Sequence, residues 1–135
     1  MYYVRPLVTG SQKEDNSMKI LVCGGRDYDD TDALYIFLDN CARANAARGN
    51  PITHVIHGGA RGADSLAGAW ARARGTQEVI CPANWEAYGR RAGVMRNGAM
   101  TALGPDLVIA FPGGNGTAHM IEVARVAGLD VYKVE

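Results

Sequence analysis

From Met18 onward, short runs that are apolar at nearly every residue alternate with longer stretches whose apolar residues return every three or four positions. The dense runs are 19–25 (KILVCGG), 54–59 (HVIHGG), 78–83 (EVICPA), 106–114 (DLVIAFPGG) and 130–134 (DVYKV). Strands with no polar face are strands covered on both sides, which is the condition of a parallel sheet between helix layers. The spaced runs predict helices. The first carries Ala33, Leu34, Phe37, Leu38 and Cys41 on one side, with Asp30 or Thr31 to cap it and Gly49-Asn50-Pro51 to end it. The second, 65–74, turns Leu66, Ala67, Ala69, Trp70 and Ala73 inward and stops at Gly75. Residues 85–102 read as a loop and then a helix with Ala92, Met95, Ala99, Met100 and Leu103 as its apolar face. A last helix, 117–127, is closed by Gly128.

Strands alternating with helices in this way predict an α/β fold over 18–135, a Rossmann-like three-layer sandwich on a mainly parallel five-stranded sheet. Ligands of such sheets bind beyond the carboxyl ends of the strands, and three glycine turns follow strands here. They should line one rim. Pro112-Gly113-Gly114-Asn115-Gly116-Thr117 opens a helix, so its unpaired N–H groups and helix dipole suit a phosphate, to which Thr117 can add a hydroxyl. No lysine follows, as a Walker loop would require, and the GxGxxG spacing is absent. In HGGARGAD, Gly58, Gly59 and Gly62 bare the backbone and Arg61 can neutralise a phosphate. Asp64 can cap the helix or accept from ribose hydroxyls, and His57 is either a ligand contact or a hydrogen-bonded structural histidine. Gly24-Gly25-Arg26-Asp27 repeats the theme, with Tyr28 able to stack on a base. Arg90, beside Gly89 and Arg91, can clamp a second phosphate, while Arg96 and Asn97 can hold or orient the ligand. Trp85 and Tyr88 can pack on a base or anchor their loop on the core.

The bulk composition narrows the partners. Lys+Arg and Asp+Glu are equal at 14 each in 135 residues, so no general positive field recruits nucleic acid or an anionic membrane. Cys23, Cys41 and Cys81 lack metal-ligand spacing, and two of them sit in strand-like apolar runs, which points to a reduced, cytoplasmic protein without a bound metal. No required cofactor is indicated, although a phosphate ligand could bring Mg²⁺ with it. No apolar run reaches membrane-spanning length. Residues 1–17 lack periodicity and read as an extension, either flexible or adding an edge strand through 2–8.

With the turns in hand, the chain from Met18 onward resembles the SLOG superfamily, which includes DprA and the LOG-type phosphoribohydrolases. More narrowly it resembles the small YspA-type SLOG proteins of bacteria and phages. The carriers are GGRDY, HGGARGAD, the W-x-x-x-G-R-x-A-G-x-x-R-N stretch from Trp85 to Asn97, and FPGGNGTAHM, in that order. The resemblance implies a nucleotide or nucleotide-derived ligand at the glycine rim. LOG-type enzymes cut the N-glycosidic bond of nucleoside monophosphates and carry PGGxGTxxE with an arginine on the preceding helix. Pro112, Gly113, Gly114, Gly116 and Thr117 match that signature, Arg96 falls near the arginine, and Met120 stands at the acidic position. A developing positive charge on ribose needs a carboxylate, which methionine cannot supply. A binding module, acting as a sensor or sequestering protein, is therefore the leading expectation. The alternative is a nucleotide hydrolase, N-glycosidic or phosphoester, using Arg96 with Asp64, His119 or Asp27. Single-stranded DNA binding, as in DprA, ranks third because an aromatic-rich basic stripe is missing. The superfamily also implies pairing of protomers through helices, for which the helix end at 100–103 (MTAL) offers apolar residues.

Overall fold

The computed structural model describes residues 17–135, so the extension read at 1–17 lies outside the described residues except for Ser17. Five strands, β1 (Met18–Cys23), β2 (Ile52–His57), β3 (Gln77–Ile80), β4 (Leu107–Ala110) and β5 (Val131–Lys133), form one sheet in the order β3-β2-β1-β4-β5. Every pairing is parallel, as the doubly apolar runs require. Alternate residues of β1 serve opposite layers, because strand side chains switch faces at each step. Ile20 and Val22 meet Leu34 and Leu38 of α1 (Thr31–Ala47) and Ala67 and Trp70 of α2 (Ala63–Ala73). Leu21 and Cys23 meet Met100 of α4 (Ala92–Ala102) and Met120, Ile121 and Ala124 of α5 (Asn115–Val126). A single turn, α3 (Trp85–Tyr88), and a 3₁₀ turn at Gly89–Arg91 lead into α4.

The helices are held by local chemistry as well as burial. Asp30 caps α1 by accepting from the Ala33 amide at 3.1 Å. On the far side of that helix Asp39 accepts from the Trp70 indole at 2.9 Å and from Nε and Nη2 of Arg74 at 2.8 and 2.9 Å. The Arg74 fork and the Trp70 hydrogen bond hold the Asp39 carboxyl down at about 2. That joint clips α1 to α2.

The apolar face expected for the fourth helix needs correcting. Ala92 and Met100 are buried and Leu103 packs on the cluster that holds Met100, but Met95 is 42 % exposed and Ala99 is also exposed. Each lies one residue, about 100° of rotation, from the inward stripe that runs through Ala92, Arg96 and Met100. The rotation buries the polar Asn97 in place of the apolar Met95. Ala33 and Ala73, also expected inward, are exposed near the ends of their helices. Met100 and Leu103 are committed to the chain's own core, which leaves Val94 and Met95 as the exposed large apolar residues of α4.

The chain winds outward from β1 to β3 and then crosses back to β4, so β1 and β4 are neighbours whose connections leave to opposite layers. A crevice opens beyond the carboxyl ends of such a pair. Gly24-Gly25 follows β1 and Pro112-Gly113-Gly114 follows β4, which puts two of the glycine turns at that crevice. Among the described residues no helix is long and apolar enough to cross a membrane.

Candidate functional site

Main-chain hydrogen bonds lash the three glycine turns together. Phe111 N–H donates to the Cys23 carbonyl at 2.8 Å, Gly25 N–H to the Pro112 carbonyl at 2.9 Å, and Ala63 N–H to the Gly25 carbonyl at 3.1 Å. Such close approach leaves no room for side chains. A Cβ on Gly24 would lie 2.6 Å from the Ala63 Cβ, and one on Gly113 would lie 2.7 Å from the Gly25 nitrogen.

Above this bed lies a cleft of about 310 Å³ at the expected rim. Gly24, Gly25 and Arg26 form one side, and Gly114, Asn115, Gly116 and Thr117 the other. Helix α5 begins here with Gly114 as its cap and no capping side chain, so its first amides point into the cleft without an intrahelical acceptor. Thr117 is only 8 % exposed, and its hydroxyl has no hydrogen-bond partner among the described residues. Arg96 and Asn97 reach in from α4, Asp64 from α2, and Cys23, Met100 and Met120 make the floor.

Arg96 is preorganised. Its Nη1 donates to the Gly58 carbonyl at 2.8 Å and its Nε to Oδ1 of Asn97 at 3.0 Å, which leaves Nη2 for a ligand. Because Arg96 can only donate, it fixes the Asn97 amide with the oxygen toward itself. The Asn97 Nδ2 then donates to Nδ1 of His119 at 2.9 Å, so the neutral ring carries its proton on Nε2. A side chain on Gly58 would take the place of this guanidinium, its Cβ lying 2.7 Å from the Arg96 Cζ.

Asp64 does not cap its helix. Its Oδ2 accepts from the amides of Gly58 and Ala60 at 3.1 and 3.2 Å and pins the preceding loop, while the helix begins at Gly62 without a side-chain cap. Burial pushes the Asp64 carboxyl up, against the opposing pull of those amides, His57 and Arg96. The stability Asp64 contributes is therefore greatest below the ordinary carboxylate range and is lost as pH rises through the raised value. Asp64→Asn, which removes the buried charge, should melt at a higher temperature than the parent at pH 8, with the gap closing toward pH 3. Circular dichroism melts at both pH values check this, and an unchanged gap would refute it.

His57 is structural. Its Nδ1 accepts from Gly59 N–H at 3.0 Å, so its Nε2 donates to Glu78 at 2.6 Å, and Arg72 holds the other carboxylate oxygen of Glu78 at 2.5 Å. The Gly58-Gly59 turn is thus shaped from beneath by a side-chain relay.

Other expected site residues fall elsewhere. Gly58, Gly59 and Arg61 line a second, adjoining cleft, together with Arg26 and Arg96. Pro112 and Gly113 sit behind the α5 turn, in a groove they share with Asp27. Gly62, at φ +82°, packs on the Gly25-Arg26 backbone and lines neither cleft. Asp27 is almost fully exposed and pairs with Arg61 at 3.5 Å. His119 is half-buried against Asn97, and Arg90 stands exposed on the 3₁₀ turn; neither lines a cleft. Tyr28 packs on Phe111, with ring centroids 5.4 Å apart. Among the described residues no group of three or more His, Cys, Asp or Glu could hold a metal. The sequence reading missed Ala60 and the floor residues Cys23 and Met100. It also missed Glu78, whose partnership with a histidine 21 residues away leaves no local signal, and Arg72, which holds Glu78 in turn.

A model of the YspA, cpYpsA-related SLOG family matches residues 18–88, which span β1 to α3 and include two of the three glycine turns. The Gene 61 protein of Mycobacterium phage D29 is 44 % identical over 84 residues, covering 57 % of this chain and 67 % of that protein. Two crystal structures of the C-terminal domain of a Pyrococcus furiosus hydrogenase superpose with a TM-score of 0.51 at 18 % identity, covering 96 % of this chain and 99 % of theirs. That likeness is one of fold.

Proposed function

The chain belongs to the YspA, cpYpsA-related SLOG family, and from that premise we propose that the cleft at the β1–β4 crevice holds a nucleotide or nucleotide derivative by its phosphate and ribose. The observation that carries the reading is the uncapped start of α5 facing Arg96 and the buried Asp64 across one cleft. The phosphate sits on the amides of Asn115, Gly116 and Thr117, with the Thr117 hydroxyl and Arg96 Nη2 as further donors. Asp64 accepts from the ribose hydroxyls through Oδ1, since its hydrogen bonds to the loop all run through Oδ2. The protein then acts as a sensor or a sequestering module, and any Mg²⁺ arrives with the phosphate.

A second reading, a nucleotide hydrolase, draws on one observation: Asp64 is a buried carboxylate with a raised pKa on the cleft wall, the state suited to proton transfer. Of the three candidate acids and bases it alone lines the cleft, Asp27 and His119 being engaged elsewhere. Met120 stays on the floor, 1 % exposed and without charge.

Mass spectrometry separates the two. The protein is incubated with nucleoside monophosphates, ADP-ribose, NAD and cyclic dinucleotides, then sampled before and after heat denaturation. Binding predicts that an intact compound leaves solution and returns on denaturation. Free base or dephosphorylated product beyond one equivalent establishes the hydrolase instead, and silence toward every compound removes both.

A further inference from the structure

Beside the phosphate–ribose cleft lies the second cleft, also of about 310 Å³, and the two meet at Arg26, Ala60 and Arg96, which line both. A ligand seated in the first can therefore continue into the second without crossing a wall of core side chains.

The second cleft differs in kind. It has glycine backbone along one side, Pro82 and Ala83 along another, and the ring of Trp85, which is 50 % exposed. Trp70, the chain's other tryptophan, is 1 % exposed and sealed between α2 and the sheet, so Trp85 is presented where it would ordinarily be covered. The Arg26 guanidinium carbon stands 5.7 Å from the centroid of the Trp85 ring. Arg26 makes no hydrogen bond or ion pair among the described residues, so this stack is what holds it. The charges nearby are largely spent: Arg61 pairs with Asp27, and Arg96 is bonded to Gly58 and Asn97. What remains is a flat aromatic face, a flat cation and bare backbone, which suits a planar ring better than a second phosphate.

We infer that the second cleft is a nucleobase subsite with Trp85 as its stacking platform and Arg26 at the junction where base and ribose phosphate join. This rests on the phosphate–ribose reading of the first cleft. The class of ligand is then an intact nucleotide, lying across both clefts, rather than a base-free sugar phosphate.

The test compares ribose 5-phosphate with the four ribonucleoside 5′-monophosphates, by calorimetry and by tryptophan fluorescence. At least one nucleotide should bind about 10-fold or more tightly than ribose 5-phosphate, consistent with stacking of a base on an aromatic ring. The same nucleotide should quench emission, and the quench should disappear in Trp85→Phe while tight binding persists. Trp85→Ala should reduce the nucleotide to the affinity of ribose 5-phosphate and leave the latter unchanged. Equal affinities for all five compounds, or preference without any contribution from Trp85, would overturn the subsite and leave the phosphate–ribose cleft standing. If none of the five binds, the subsite is overturned; the reading of the first cleft falls with it only when ADP-ribose, NAD and the cyclic dinucleotides are ignored as well.

Discussion

Gly62→Ala should destabilise the protein by about 3 kcal/mol or more and lower its melting temperature by roughly 10 °C. Two separate costs combine at this position. The backbone sits at φ +82°, where an L side chain is strained. The new Cβ would also press on the Gly25 carbonyl oxygen and lie 2.6 Å from the Arg26 carbonyl carbon. Those atoms are main chain and cannot rotate away, so the second and first glycine turns must part. Gly49→Ala is the control. Gly49 has nearly the same φ, +81°, but open space around its Cβ position, and should cost only about 1 kcal/mol. Urea titrations of both variants give the comparison, and equal losses would mean that packing of the turns contributes nothing.

Arg96→Ala should weaken nucleotide binding about 100-fold, the scale expected when charge-assisted hydrogen bonds to a phosphate are lost. The side chain does two jobs: it lines the cleft, and it ties the Gly58 turn to Asn97. Arg96→Lys should recover little, because one ammonium cannot span both the Gly58 carbonyl and the Asn97 oxygen while facing a ligand. Calorimetric titration with the nucleotide identified by mass spectrometry checks this, beside a thermal melt to confirm folding. A folded Arg96→Ala protein with affinity within threefold of the parent would sink the role.

How much of this was legible beforehand follows from where each signal resides. The strands and their burial on both faces were readable because every residue of a run such as KILVCGG reports the same environment. The glycine turns were readable because bare backbone at the end of an apolar run is a local pattern. Side chains that act over distance were not. Asp64 stands at a helix start, where a cap and a ligand contact look alike in sequence, yet its Oδ2 holds the loop behind it instead of capping the helix. Asn97 was chosen as a ligand contact without sign of His119, which lies 22 residues away and meets it only once α4 and α5 pack. The rotation of α4 was misread for a related reason. Met95 and Ala99 fit an apolar stripe by type, but the cleft draws Arg96 and Asn97 inward and turns those two toward solvent. Arg90 was grouped with Arg96 by proximity in sequence, and the 3₁₀ turn before α4 carries it out of both clefts.

The bed of the cleft is made of peptide groups bonded to peptide groups, from Cys23 to Phe111, from Gly25 to Pro112 and from Ala63 to Gly25. A surface built that way is indifferent to most side-chain replacement around it. Asp64, Arg96 and Met120, on which the two proposed readings differ, stand on separate helices and can change one at a time while the seat persists. On the proposed function, holding and cutting would be neighbouring states of one scaffold, separated by single substitutions on its walls. Met120→Glu is the step by which this chain would explore the second.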